Sequence, residues 1–204
     1  MPTPGPMISV LLLTLGAYLL GSLSAAILLC RALGLADPRT QGSRNPGATN
    51  VLRIAGRKVA ALVLAGDLLK GLIPVLVAHA LGLHDAIVAA VGLAAFLGHL
   101  YPLFFGFQGG KGVATALGVL LGAVWPVAVA AMATWLLVAK VFRISSLAAV
   151  SAALLAPLYV TVFTASAPLR VLVWVMSVML LWRHRGNIRR LVSGEEGRLS
   201  GKRD

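Results

Sequence analysis

Residues 113–139 read VATALGVLLGAVWPVAVAAMATWLLVA, an apolar run with no charged side chain. A helix crossing a bilayer needs about 20 such residues, so the run is long for one crossing and short for two. Trp125-Pro126 lies near its middle, and proline is best tolerated in the first turn of a helix. The pattern therefore predicts a new helical segment starting there. Five further apolar stretches approach span length, at 7–30, 59–81, 86–105, 145–164 and 167–182. The stretch at 7–30 has no basic segment before it and is too long for a signal-peptide core. It reads as one retained first helix.

Basic residues decide how the stretches are threaded. Arg31, Arg39, Arg44, Arg53, Arg57 and Lys58 mark the polar loop 31–58 as cytoplasmic. Arg183, Arg185, Arg189, Arg190, Arg198, Lys202 and Arg203 do the same for the C-terminal tail, by the positive-inside rule. An outside N-terminus and a cytoplasmic C-terminus require an odd number of crossings. Six stretches give an even number; splitting 113–139 gives seven and also puts Lys140 and Arg143 inside. Every basic residue then faces the cytoplasm except Lys70, within a span, and Arg170, outside. The split has a geometric cost, since about 12 residues of helix rise only about 18 Å, short of a hydrocarbon core of about 30 Å. The glycine-rich loop 106–112 is therefore expected to dip into the membrane beside a hydrated cavity open to the cytoplasm.

Composition agrees with a polytopic membrane protein. Of 204 residues, 59% are hydrophobic and 12% charged, and mean hydropathy is +0.92. Soluble domains carry about 25% charged residues, which excludes an ordinary soluble surface and equally excludes disorder. Cys30 is the single cysteine, so a disulfide scaffold is excluded. Lys and Arg total 18 against 6 acids, a formal charge of +12. These charges lie between apolar runs with few aromatics, the pattern of cytoplasmic loops and anionic substrates rather than of nucleic-acid binding. The expected fold is all-α: one domain over 1–204, seven transmembrane helices with some short or broken, the N-terminus outside and the C-terminus in the cytoplasm.

Three polar segments have the composition of phosphate sites. The first is Gly42-Ser43-Arg44-Asn45-Pro46-Gly47-Ala48-Thr49-Asn50, followed by Arg53. Hydroxyls, amides and backbone N–H groups can wrap an anion that Arg53 neutralises; the same residues also suit a turn with an N-cap. The second is Gly106-Phe107-Gln108-Gly109-Gly110-Lys111-Gly112. Its glycines let backbone approach an oxyanion and Lys111 supplies charge, while the bland alternative is a tight turn with a snorkelling lysine. It is not a Walker A loop, because Phe105 stands where the first glycine belongs and Gly112 where Ser or Thr should bind magnesium. The third runs from Arg183 to Leu191 and puts His184 and Asn187, three apart, on one helix face. Its arginines also suit a membrane anchor.

Within the spans, Asp67 and Lys70 stand at i and i+3. A charge there costs about 2.5–3.5 kcal/mol on insertion scales, which makes function the default expectation, with a structural ion pair as the alternative. His99, near the end of its span, faces a ligand or makes a helix contact. No His/Cys/Asp cluster has ligand spacing, and no metal or cofactor is expected.

Taken in order, these segments resemble the bacterial acyl-phosphate:glycerol-3-phosphate acyltransferase family. The resemblance also covers Ala17-Tyr18-Leu19-Leu20-Gly21-Ser22, Gly66-Asp67-Leu68-Leu69-Lys70-Gly71 and Gly98-His99-Leu100-Tyr101-Pro102, and spans nearly the whole chain. It implies a seven-helix enzyme of the bacterial cytoplasmic membrane with its active site facing the cytoplasm. Such an enzyme moves a fatty acyl group from acyl phosphate to the sn-1 hydroxyl of glycerol 3-phosphate, giving lysophosphatidate and phosphate, the first step of phospholipid synthesis. The resemblance implies catalytic roles for His184, Asn187 and Ser43. It implies substrate-binding roles for Asn45, Thr49, Asn50, Arg53, His99, Gly109, Gly110, Lys111, Gly112 and Ser146. Partners are the two substrates, the lipid bilayer and, by functional coupling, the enzyme that forms acyl phosphate; neither nucleic acid nor any particular oligomeric state is implied. Two positions depart from the family pattern. Arg44 replaces a glycine many relatives have, so a negative φ is expected there. Ala149 stands where many relatives have a serine, which bears on Ser146.

The chemistry is consistent with these residues. No histidine is followed five residues later by Asp, the pair used by the better-known glycerolipid acyltransferases. Cys30 lies at the end of an apolar stretch without a neighbouring base, so it is a poor nucleophile. An acyl phosphate is already activated, and attack by the glycerol hydroxyl needs positioning and charge neutralisation rather than an enzyme nucleophile. The proton acceptor is His184 or a phosphate oxygen of the substrate. The rival readings are a transporter of phosphate esters, which should bind near the midplane on broken helices, and a noncatalytic scaffold, which needs none of these motifs. Threading is testable directly: cysteines introduced at Arg39, Gln108 and Ser200 are expected to react with a membrane-impermeant reagent only from the cytoplasmic side. Labelling of the Ser200 position from outside alone would refute seven crossings.

Overall fold

The computed structural model describes residues 6–199, which are helical or irregular throughout with no strand among them. Ser200, Lys202 and Arg203, used above for threading, lie outside the described residues. The chain divides between Ala123 and Val124 into two compact units.

The first unit contains α1 (Pro6–Gly21), α2 (Ala25–Ala32), α3 (Ala48–Ala80), α4 (Asp85–Leu100), a 3-10 turn (Leu103–Phe105) and α5 (Val113–Ala123). The expected single helix over 7–30 is broken: α1 and α2 meet at a bend of 49°. Ser24 caps α2, its hydroxyl accepting from Ile27 N–H at 3.4 Å. The break leaves the Leu23 carbonyl without a helical partner, and Lys70 Nζ donates to it at 2.9 Å. Inside apolar surroundings an unsatisfied carbonyl is costly, so this bond is what makes the break tolerable.

The loop expected over 31–58 is also shorter than predicted, because α3 begins at Ala48. Its first turns stop at Gly56, whose φ of 82° and ψ of 179° are non-helical, and a second helical stretch follows to Ala80. Small residues bring the helices of this unit together. A Cβ on Gly98 of α4 would overlap the Tyr18 carbonyl of α1, and one on Gly118 of α5 would overlap the Leu68 carbonyl of α3. Glycine at such points lets backbones approach where lipid supplies no hydrophobic drive for association.

The second unit contains α6 (Trp125–Phe142), α7 (Ser145–Phe163), α8 (Ala167–Arg183) and α9 (Arg185–Val192). The predicted split of 113–139 is present, with Pro126 in the first turn of α6. Thr134 and Tyr159 share a hydrogen bond of 2.7 Å between α6 and α7. Arg170 satisfies carbonyls at the end of α7, donating to Thr164 at 2.8 Å and Thr161 at 3.2 Å. Of the basic tail expected from Arg183, Arg185–Val192 forms the short helix α9.

Each of the seven expected segments has a helical counterpart. Among the described residues, four helices are long and apolar enough to cross a membrane, and the bent α1–α2 pair makes up to five. At 11 residues, α5 rises only about 16 Å, too little to cross alone. The glycine contacts give a stability test. Gly118→Ala is expected to lower stability by about 1–3 kcal/mol through overpacking, read as thermal unfolding in detergent. Gly16→Ala meets no atom within 4 Å and should be neutral or gain about 0.5–1 kcal/mol of helix propensity.

Candidate active site

Asn50 organises the first polar loop. It is 1% exposed, and its Oδ1 accepts from Ser43 N–H at 2.8 Å. Its Nδ2 donates to the carbonyls of Pro38 at 2.9 Å and Gln41 at 3.1 Å. An amide nitrogen has two hydrogens, so both are committed to folding residues 38–43 around the start of α3. The turn closes through Arg44 N–H on the Gln41 carbonyl at 2.9 Å. Here the expectation for Arg44 fails: its φ is +57°, in the left-handed region. A side chain pays about 1–2 kcal/mol there, which is the reason a glycine suits this position. Ser43 and Arg53 are exposed, Asn45 and Thr49 half-buried.

Two residues not expected at the site fasten this loop to the next. Arg39 forms a forked pair with Asp37, the shortest contact being 2.7 Å, and its Nη1 donates to the Phe105 carbonyl at 3.0 Å. Hydrogen bonds from Arg39 hold the Asp37 carboxyl below the usual range against the opposing effect of burial. The signal in the sequence is an acid and a base flanking Pro38.

The glycine-rich loop turns back against the end of α4. Gly106, Phe107 and Gly112 have φ of 64°, 60° and 89°. Gly110 N–H donates to the His99 carbonyl at 3.2 Å. A Cβ on Gly109 would overlap the carbonyls of His99 and Leu100, and one on Gly110 would overlap the His99 imidazole. Lys111 follows, half-buried, and α5 starts two residues later. Beneath the loop, Asp67, Lys70 and His99 are 2%, 5% and 6% exposed. Asp67 Oδ1 is 2.8 Å from Lys70 Nζ and 3.5 Å from His99 Nδ1. Thr115 Oγ1 donates to the Asp67 carbonyl at 2.9 Å.

In the second unit, His184 and Asn187 are buried where α8 gives way to α9, and Ser146 is buried in the first turn of α7. His184 Nδ1 lies 2.8 Å from the Leu180 carbonyl. A carbonyl only accepts, so this bond puts the proton on Nδ1 and leaves the lone pair of the neutral ring on Nε2. Ser146 and Asn187 meet at Glu196. Its Oε1 accepts from Ser146 Oγ at 2.6 Å and also from Asn187 Nδ2, and Arg190 Nε donates to Oε2 at 2.7 Å. Burial raises the Glu196 carboxyl, but these hydrogen bonds and the Arg190 charge outweigh it and hold the group below its ordinary value. The sequence reading missed Glu196; two adjacent acids in an otherwise basic tail were the available signal.

These features define a class: a protein whose described residues form helices, four of them long and apolar enough to cross a membrane, joined by polar, glycine-bearing loops. The comparisons refine it. The family model described as glycerol-3-phosphate acyltransferase matches residues 11–194. The glycerol-3-phosphate acyltransferase of Methylococcus capsulatus is 58% identical over 187 residues, covering 92% of this chain and 94% of the relative. That of Thioalkalivibrio sulfidiphilus is 61% identical over 191 residues, covering 93% and 94%. A crystal structure of PlsY (YgiH), described as an integral membrane glycerol 3-phosphate acyltransferase in its glycerol 3-phosphate form, superposes with a TM-score of 0.90 at 41% identity. It covers 94% of this chain and 96% of that one. The lysophosphatidic acid form gives 0.87 at 41%, covering 93% and 95%. The chain belongs to the glycerol-3-phosphate acyltransferase family.

Glu196→Gln removes the charge that three donors share. The expected loss is about 1 kcal/mol after solvent screening, or about 2–4 °C in melting temperature. A carboxyl depressed on folding stabilises fully above the unfolded value near pH 4.3, with the contribution lost as pH falls through the folded value. The difference between wild type and variant should therefore persist at pH 7 and close on acidification; a constant difference would contradict the ionised assignment.

Proposed function

We propose that this chain transfers a fatty acyl group from acyl phosphate to the sn-1 hydroxyl of glycerol 3-phosphate. The products are lysophosphatidate and inorganic phosphate. One observation carries the reading: a solved relative, matched over 94% of this chain at 41% identity, is described in a glycerol 3-phosphate form. The acyl phosphate donor rests on the motif resemblance.

The hydroxyl oxygen forms a bond to the acyl carbon, and the anhydride bond from that carbon to the phosphoryl oxygen breaks. The hydroxyl proton passes to His184 Nε2 or to a phosphoryl oxygen. Lys111 and the backbone of Gly109, Gly110 and Gly112 hold the glycerol phosphate. Ser43, Asn45 and Thr49 donate hydrogen bonds to phosphate oxygens and Arg53 neutralises their charge, with Asn50 shaping the loop. His184 and Asn187, with Ser146, orient the reacting groups. Seven crossings, an outside N-terminus and a cytoplasmic C-terminus would put the loops at 31–47 and 106–112 and the α8–α9 junction on the cytoplasmic face of the inner membrane. Glycerol 3-phosphate is reached from there.

Detergent-solubilised protein, with no compartments to move solute between, is expected still to release phosphate when given both substrates. Uptake of glycerol phosphate into vesicles without lysophosphatidate would establish the transporter instead. Lys111→Ala removes a charge-assisted contact worth about 1.5–3 kcal/mol, or about 10- to 150-fold in binding. The loss should appear in KM for glycerol 3-phosphate if the contact acts equally in ground and transition states. Lys111→Arg should recover only part, because a planar guanidinium replaces a compact ammonium. A folded Lys111→Ala protein with unaltered kinetics would reduce the loop to a turn.

A further inference from the structure

The two ends of the glycine-rich loop converge on Asp67 of α3, upstream by way of His99 of α4 and downstream through Thr115 of α5. Upstream of Lys111, the Gly109 and Gly110 backbone lies against His99: Gly110 N–H bonds the His99 carbonyl at 3.2 Å, and there is no room for a Cβ between Gly110 and the imidazole. The Nδ1 edge of the same ring stands 3.5 Å from the Asp67 carboxylate. Downstream, Thr115 in the first turn of α5 donates to the Asp67 main-chain carbonyl at 2.9 Å. Asp67 is itself held by Lys70 at 2.8 Å, and Lys70 is tied to the Leu23 carbonyl at 2.9 Å. The carboxylate is 2% exposed, so its effect on a ligand can only pass through its neighbours.

We propose that Asp67 and His99 are positioning residues for glycerol 3-phosphate: the imidazole, steadied by the carboxylate, is the template on which the Gly109-Gly110 backbone is set, and that backbone aims Lys111. This rests on the acyl-transfer reading and adds a role for a buried charge set that would otherwise be only a structural ion pair. His99 acts under the loop, through backbone, rather than on substrate.

The test uses the purified full chain in lipid nanodiscs, with glycerol 3-phosphate binding read by thermal shift and turnover by phosphate release from acyl phosphate. His99→Asn keeps a donor near the Nδ1 position but empties the ring volume beside Gly110. Gly110→Ala places a methyl against the ring. Each is expected to raise KM for glycerol 3-phosphate about 10- to 100-fold, the scale of a misplaced binding group, while KM for acyl phosphate stays within about twofold. Combined, they should couple: the methyl occupies the vacated volume, and the double variant should bind better than Gly110→Ala alone. Thr115→Val loosens only the downstream end, so KM should rise several-fold, and Thr115→Ser should restore it; this pair decides the matter should His99→Asn fail to fold.

Folded variants with glycerol 3-phosphate KM unchanged, KM values that rise equally for both substrates, or strictly additive effects of the two substitutions would each overturn the proposal. Wild-type protein that binds glycerol 3-phosphate but releases no phosphate would refute the acyl-transfer reading instead, and the binding comparison alone would then decide the positioning role. Wild-type protein that neither binds nor turns over would refute both.

Discussion

Lys70 donates to the Leu23 carbonyl and pairs with the Asp67 carboxylate, at 2.9 and 2.8 Å, and the first unit is arranged around those two contacts. An apolar environment does not tolerate a carbonyl without a partner or an ion without a counterion. The break between α1 and α2 creates the first problem, and Asp67 and Lys70 create the second. One ammonium answers both. Removing either member of a buried pair leaves the other uncompensated, at about 3–5 kcal/mol. The arrangement is therefore self-enforcing: the helix break, the α3 register and the burial of His99 stand together.

The loops above this core follow from it. Residues 38–43 wind around the Asn50 amide, and Arg39 ties them to the Phe105 carbonyl at the head of the glycine-rich loop. That loop in turn sits on His99. Backbone hydrogen bonds and close glycine contacts hold the loop that carries Lys111 against the end of α4. In the second unit the same economy appears with opposite sign. Glu196 gathers Ser146, Asn187 and Arg190, so the residues after α9 complete the polar cluster that α7 and α9 begin.

Much of this was legible in the sequence, for identifiable reasons. The apolar runs located the helical segments because composition is a strong signal at span length, and Pro126 marked the α6 start because proline suits a first turn. The polar segments stood out because hydroxyls, amides and glycines cluster where apolar residues otherwise dominate. Other features were hidden because their causes are distant in the chain. The break at residues 22–24 depends on Lys70, far along the sequence, and no proline announces it. The positive φ of Arg44 is imposed by a turn built on Asn50 and contradicts what an arginine suggests. The hydrogen bonds of Asn50 to Pro38 and Gln41 give it a loop-folding role that an amide in the sequence does not announce. The role of Glu196 is not legible from sequence alone, because Ser146 lies 50 residues away and meets it only in the fold.

In the proposed reaction the glycerol hydroxyl attacks the acyl carbon directly. Oxygen isotope tracing tests it. Glycerol 3-phosphate carrying oxygen-18 at the sn-1 hydroxyl, incubated with acyl phosphate and the purified chain, should give lysophosphatidate with the label in its ester and unlabelled inorganic phosphate. Label in a phosphate product, or an acyl group found covalently on the protein before glycerol 3-phosphate is added, would contradict it.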